Sequence, residues 1–486
     1  MNAKKSRNEF LLFNVIFPVL LTGAGFIWKL LFITHRDISL DEPFTIFHAQ
    51  QSIWHILSMP AQGEPNPPLF TLLLHFWIKM TGTGPVAVRL LPLIFNSLTV
   101  LFLYFSGKRF FSFWAGVLAS GMFLFSNFHF FHGLEVRTYS LLSLATASSL
   151  YFILHLVKEP GSKKLTIALI ISNLALVYSH YFGWFVVIMQ LVWMFFYIRE
   201  KDICRSILIS FGVTVIAYLP FFLILFRQFL KSSQGTWVEP PKSGGEYFYQ
   251  LQHFVNHPEV FNAVLWVLAS GVVYLTFMKS WKSINKDLLI LFFWWFVPFT
   301  MMFFVSFEIP VFITRYLLFI SVGLYLFVAV AVTKLFNHNK YLVPVAVIIL
   351  LAMMANRMRI LPDDFSYREV SNATSFVKQN QQNSDAVILY PYYDELGFSY
   401  YYDRSIFEDT QNFQLKLNQK QVFPVWGLEM ARSITNKRTS GRIIYYLNGP
   451  LPGEDDGIFH YLSENYRMVD STFYPQTFNI AIFERK

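Results

Sequence analysis

Apolar runs recur along this chain from residue 10 to residue 356, and each is continuous rather than alternating. A helix needs about 20 apolar residues to cross a bilayer, whereas strands of a membrane barrel would alternate in hydrophobicity. The pattern predicts eleven helical spans, at about 10–33, 86–106, 113–131, 138–157, 165–179, 182–198, 206–226, 259–278, 287–305, 316–333 and 341–356. Residues 35–85 read differently. Pro43 suits the first turn of a helix, with Asp41 as a candidate cap. Thr45, His48, Ser52 and His55 then recur at spacings of three and four, and Phe44, Ile46, Phe47, Ile53, Trp54 and Ile56 fill much of the rest. That pattern predicts a helix in the plane of the membrane interface, followed by a short apolar helix over 67–80. From Pro362 onward Asp, Asn, Gln and Tyr become common. SFVKQN and DELGFSYYY read as helical, and DAVILY, GRIIYYL and FNIAIFE as strands. Two domains are expected: a membrane part, 1–361, that includes the loop 35–85, and a soluble α/β domain, 362–486.

Composition agrees, with 54% hydrophobic and 19% aromatic residues. The fold class is a polytopic α-helical membrane protein with a C-terminal α/β domain. The net charge of +9 follows the topology. Lys and Arg gather at Lys4, Lys5 and Arg7, at Lys108 and Arg109, at Lys158, Lys163 and Lys164, at Arg199, Lys201 and Arg205, at Lys279, Lys282 and Lys286, and at Lys334 and Lys340. Positive loops stay inside. The N-terminus is therefore expected in the cytoplasm, with 35–85 and the C-terminal domain outside, in a multi-pass protein of the cell's inner (plasma) membrane. This distribution accounts for the charge without nucleic acid as a partner. The first apolar run is too long for the core of a signal peptide and is expected to remain as a span. Cys204 is the only cysteine, so no intramolecular disulfide can form.

Charged residues make up 14% of the chain, and several fall near the expected outer ends of spans. They are Asp41, Glu42, Glu135, Arg137, Glu308 and Arg315, accompanied by Asn66, Tyr139, His180 and Tyr181. Ionisable groups at a membrane boundary are expensive and usually face a cavity or a partner. A carboxylate can deprotonate an acceptor hydroxyl, and Arg can hold a departing phosphate through bidentate hydrogen bonds. A sugar linked to a lipid phosphate fits that pair of functions. Each residue also has a plainer reading. Asp41 could cap a helix, and Arg137 and Arg315 could snorkel to headgroups. Glu135 and Arg137 could simply pair, and His180 could be a boundary histidine. His48 and His55 have the spacing for a metal but lack an obvious third ligand, so metal use stays open.

These residues sit in motifs that resemble the dolichyl-phosphate-mannose–protein mannosyltransferase superfamily, glycosyltransferase family 39, with the GT-C membrane fold. The likeness is to its bacterial members, which are similar to the lipid A aminoarabinose transferase. LDEPF carries the acidic motif, Asp41-Glu42, and NPPLFTLLLHFW, 66–77, the double-proline motif. GPVAVRLLPLIFNSL, EVRTYSLLSL, SHYFGWFVVIMQ and RYLLFISVGLYLFVA follow in the family's order over residues 35–330. Asn66 stands where the family often has His or Lys. The resemblance implies that Asp41 is the base on the acceptor with Glu42 assisting, and that Arg137 and Arg315 contact the donor phosphate. Asn66, Glu135, Tyr139, His180 and Tyr181 would support the site. It further implies a polyprenyl-phosphate sugar as donor, a protein, lipid or glycan acceptor, transfer on the outer face with inversion, and no certain cofactor, with a divalent metal doubtful. The alternative is a transporter or flippase of lipid-linked sugars. That reading predicts internal repeats and broken helices at mid-membrane, whereas here the ionisable residues gather on one face and an outer domain follows the spans, which favours an enzyme.

Overall fold

The computed structural model describes residues 11–235, 238–278, 286–359, 368–438, 441–449, 456–474 and 478–486. The basic residues Lys4, Lys5, Arg7, Lys279 and Lys282, and the expected domain boundary at 361/362, lie outside them. The chain divides into two compact units. The first comprises Met1–Phe32, Leu57–Leu73 and Arg89–Ile360, and the second Ile33–Ile56, Leu74–Val88 and Leu361–Lys486.

Seven described segments are helices long and apolar enough to cross a membrane: Leu12–Leu30, Pro85–Phe110, Tyr139–Lys158, Lys201–Ser233, Pro258–Phe277, Lys286–Val305 and Thr314–Leu335. The other four expected spans are also helical but shorter. They are Phe113–Leu124 with 12 residues, Lys163–Ser179 with 17, Gly183–Phe196 with 14 and Leu342–Asn356 with 15. The third expected span, 113–131, is in fact broken. Ser126 accepts a hydrogen bond from the His129 amide and starts a new helix, Asn127–His132. A hydroxyl that caps a helix end competes with continuation of the preceding helix, which an apolar count cannot register.

In the first unit the helix Leu318–Leu335 is the hub, buried along nearly its whole length. It packs against Phe113–Leu124, Tyr139–Lys158, Pro258–Phe277 and Lys286–Val305. Its apolar residues have no polar face, as a helix surrounded by others requires. Several buried polar side chains in this unit bond to one another. Asn173 donates to Gln190 at 2.9 Å and to Ser210 at 3.0 Å, and Lys29 donates to Asn96 at 2.5 Å. Such bonds tie membrane helices together at positions where hydrocarbon could not satisfy them.

The second unit is built on a five-stranded sheet: β1 (Ala386–Tyr390), β2 (Val422–Pro424), β3 (Ile443–Asn448), β4 (Tyr466–Tyr474) and β5 (Phe478–Arg485). Its order is β2-β1-β3-β5-β4. β1 runs parallel to β2 and β3, whereas β5 is antiparallel to β3 and β4. One face packs Ile388, Ile443, Tyr445 and Phe483 against Ile458 and Leu462 of helix Gly457–Asn465. On the other, Tyr446 stacks edge-on against Phe398 of helix Glu395–Tyr402. Burial on both faces explains the continuous apolar runs of β1, β3 and β5.

Of the loop after the first span, residues 33–56 and 74–88 belong to this unit and 57–73 to the first. The Ile38 amide donates to the Tyr401 hydroxyl at 2.7 Å, and Ser371 donates from both its amide and its hydroxyl to Asp37 at 2.8 Å. Phe47 packs edge-on against Phe407 and Phe413. The composition change near 361 had grouped 35–85 with the spans, but these bonds, across more than 300 residues of sequence, have no local signature. The expected interfacial helix is two helices, Glu42–Ala49 and Ile53–Ser58. Thr45, Ile46, Phe47 and Ala49 are buried within the unit.

Candidate active site

The expected site residues fall in both units. Those of the first form one cluster. The Glu135–Thr138 segment enters from helix Asn127–His132 and tightens where the Arg137 amide donates to the Glu135 carbonyl at 2.7 Å. The Thr138 hydroxyl donates to the Ser179 carbonyl at 2.8 Å, tying this segment to the turn that carries His180 and Tyr181. That turn closes with the Gly183 amide donating to the His180 carbonyl. A Cβ on Gly183 would stand 2.4 Å from the Leu176 carbonyl oxygen, so the close approach requires glycine.

Arg137 is buried, with Nη2 3.9 Å from Glu64 Oε1. Asn66 donates to the same Glu64 oxygen at 3.1 Å. At Asn66 this chain thus presents a neutral donor to a carboxylate that already faces Arg137. His132 Nδ1 lies 2.6 Å from Glu135 Oε2. A carboxylate only accepts, so Nδ1 carries the proton there.

His180 is buried between charges. The Phe182 amide donates to its Nδ1 at 3.2 Å, which leaves the proton of the neutral ring on Nε2. Burial, then Arg137 and Arg315, lowers its pKa to about 3. The imidazole is therefore neutral at ordinary pH and offers an N–H donor beside two guanidinium groups. Tyr139 is within electrostatic reach of Arg315, Arg137, Glu135 and Tyr316. Its ring lies 6.3 Å from that of His180 and 5.0 Å from that of His132. Arg315 sits in a short 3-10 turn, Thr314–Leu317, with its guanidinium 5.7 Å from the Tyr316 ring centre. The buried Tyr181 hydroxyl has no hydrogen-bond partner among the described residues, and burial, then Glu64, raises its pKa. Two guanidinium groups, a neutral imidazole N–H and an unpaired phenol suit an anion with several oxygens. Glu308 is exposed.

In the second unit Asp41 precedes helix Glu42–Ala49, but its side chain makes no capping hydrogen bond. Its carbonyl accepts from the Thr45 amide at 3.2 Å and hydroxyl at 3.1 Å. The plain capping role is thus not filled by the carboxylate. Glu42 differs from its neighbour: it is fully buried, 3.8 Å from Arg36 Nη2, and accepts weakly from the Ser39 amide. It holds the turn, in which Leu40 takes a left-handed φ of 56°. His48 and His55 stack, with Nδ1 and Nε2 3.1 Å apart, and use those nitrogens on each other. Burial, then His55, lowers the His48 pKa to about 4. Among the described residues no group of three or more His, Cys, Asp or Glu could hold a metal ion.

Sequence reasoning missed Glu64, His132, Tyr316 and Arg36. Glu64 stands two residues before Asn66 in a chain poor in acids, and His132 three before Glu135. Both spacings were available as signals. Arg36 lies at the start of the loop after the first span, and its pairing with Glu42 depends on the turn at Leu40.

Residues 65–225 match the family model for dolichyl-phosphate-mannose-protein mannosyltransferase. Among solved structures, ArnT from Cupriavidus metallidurans in the apo state is similar with TM-score 0.62 at 12% identity, covering 96% of this chain and 97% of that one. The same protein bound to undecaprenyl phosphate gives 0.61 at 13%, with the same coverage. The oligosaccharyltransferase AglB from Archaeoglobus fulgidus, in complex with an inhibitory peptide and a dolichol-phosphate, gives 0.50 at 11%, covering 89% of this chain and 70% of that one. A search of curated protein sequences finds no match. The chain is a multi-pass membrane protein with the GT-C glycosyltransferase fold, as its motifs predicted.

Proposed function

We propose that this protein transfers a sugar from a polyprenyl-phosphate donor to an acceptor hydroxyl on the outer face of the cell's inner membrane. The observation that carries the reading is the buried cluster in which Arg137 and Arg315 both act on a neutral His180. Two guanidinium groups beside a neutral imidazole make a site that attracts an anion, and a lipid phosphate brings one from the bilayer. The ArnT structure with undecaprenyl phosphate and the AglB structure with dolichol-phosphate support a lipid phosphate as the common element.

In this mechanism Arg137 and Arg315 hold the donor phosphate, and His180 Nε2–H and the Tyr181 hydroxyl donate to its remaining oxygens. Asp41 takes the proton of the acceptor hydroxyl as that oxygen attacks the anomeric carbon. The bond to the phosphate oxygen breaks with inversion, and the phosphate leaves with its negative charge held by the two Arg. Glu42 orients the turn that presents Asp41. The acceptor is a protein, a lipid or a glycan, and a resident metal forms no part of the proposal. Mass spectrometry of polyprenyl-phosphate sugars and of surface glycoconjugates, with and without the gene, tests it. Loss of the gene should leave a lipid-linked sugar to accumulate and one glycoconjugate to lose that sugar. Unchanged levels of both would overturn the reading.

A further inference from the structure

A cavity of about 260 Å³ lies in the first unit, between the turn at Pro60–Gly63 and the end of helix Lys201–Ser233, and none of its lining residues belongs to the Arg137 cluster. Pockets for drug-sized ligands run to about 300–1,000 Å³, so this one suits a headgroup better than a whole molecule. Its helical wall carries Ile224, Arg227, Gln228 and Lys231. Gln228 donates to the carbonyls of Pro60 at 3.3 Å and Glu64 at 3.2 Å, so the turn is fastened to the helix. Gly63 adopts a left-handed φ of +110°, and a Cβ there would lie 3.7 Å from the Lys231 ammonium. The turn thus shapes a wall against which the ammonium sits. Arg227 and Lys231 are four residues apart and share one helix face.

Where this cavity falls along the helix matters. The apolar stretch 206–226 is about 31 Å long at 1.5 Å per residue, close to the hydrocarbon thickness of about 30 Å. Arg227 and Lys231 come directly after it, at headgroup level. On the same helix Phe222, Leu223, Phe226, Phe229 and Leu230 are exposed large apolar side chains. A polar cavity with two cations, bordered by an apolar face, matches a molecule with a phosphate head and a hydrocarbon tail.

We infer that this cavity is a second lipid site, which receives the phosphate headgroup of an anionic membrane lipid through Arg227 and Lys231 while the acyl chain lies on the Phe222–Leu230 face. The inference does not depend on the transferase reading, since its residues lie outside the proposed donor site. Snorkelling cations alone would be satisfied by any anionic surface. A fastened cavity selects a lipid and holds it.

The test is native mass spectrometry of the purified full-length protein with dioleoylphosphatidic acid. The wild type should retain one phosphatidic acid, and the double variant Arg227→Gln/Lys231→Gln should bind it about 30-fold more weakly, from about 1 kcal/mol per cation at a membrane surface. Arg199→Gln/Lys201→Gln, which removes equal charge at the other end of the helix, should bind as the wild type does. Arg137→Lys should also leave this binding unchanged. Millimolar inorganic phosphate should not displace the lipid. Equal binding by the Arg227/Lys231 variant, an equal loss in the Arg199/Lys201 control, or displacement by inorganic phosphate would each overturn the inference.

Discussion

Arg137→Lys separates phosphate binding from every simpler role for this residue. The side chains of Arg137 and Glu64 are about nine-tenths buried, with nitrogen and oxygen 3.9 Å apart. At an effective dielectric of about 20, two unit charges at that distance attract by about 4 kcal/mol. Lysine retains the charge, so this attraction persists and the fold should hold. What lysine lacks is the planar fork that grips two phosphate oxygens at once. Losing one hydrogen bond to a charged group costs about 1.5–3 kcal/mol, which converts to a 10- to 150-fold weaker dissociation constant. Binding of undecaprenyl phosphate to purified protein, measured by microscale thermophoresis, should show that loss at an unchanged melting temperature. Arg137→Gln provides the contrast. It leaves Glu64 buried opposite a neutral group with only Asn66 to serve it, so it should also lower the melting temperature. If Arg137→Lys melted like the wild type and bound the lipid phosphate equally well, the phosphate assignment would fail and a snorkelling role would suffice.

Asp41→Asn should cut turnover by at least about a hundredfold, the contribution of a general base, with donor binding and melting temperature intact because the carboxylate makes no capping bond; near wild-type turnover would remove the base assignment. Asp394 provides a pH test. Burial pushes it up to about 7 against the pull of Asn448 and Arg368, while an unfolded aspartate ionises near pH 4. Between about pH 4 and 7 the folded state keeps a proton that the unfolded chain has lost, so stability falls as pH rises through that window and levels off above it. Asp394→Asn should flatten the decline in melting temperature between about pH 5 and 8, and parallel curves for variant and wild type would contradict the burial argument. Turnover should survive the same substitution, because the C-terminal domain is assigned no catalytic group. A reporter fused after residue 486 should be active only outside the cytoplasm, and cytoplasmic activity would invert the topology.

Much of the architecture could be read from local pattern. β1, β3 and β5 are continuous apolar runs because both their faces are covered, and all three were recognised. β2 and β4 were not. β2 has three residues and ends in proline, and β4 is an exposed edge strand with no alternation to detect. The apolar count found a helix at every expected span but could not foresee the Ser126 cap that divides one of them. The site followed a similar rule. Arg137, Arg315, His180 and Tyr139 were legible because charge is scarce at span ends, and the structure brings them into one cluster. Glu64 and His132 were not legible, because their roles depend on which turns meet. The union of residues 33–56 with the C-terminal domain was invisible for the same reason, since it rests on single side chains such as Tyr401 and Asp37 that bind distant backbone.

The central claim is that the Arg137–His180–Arg315 cluster holds the donor phosphate. A structure of this protein with undecaprenyl phosphate tests it most directly. The account predicts phosphate oxygens within hydrogen-bonding distance of both guanidinium groups and of His180 Nε2. A phosphate bound elsewhere, with no oxygen within reach of Arg137 or Arg315, would contradict it.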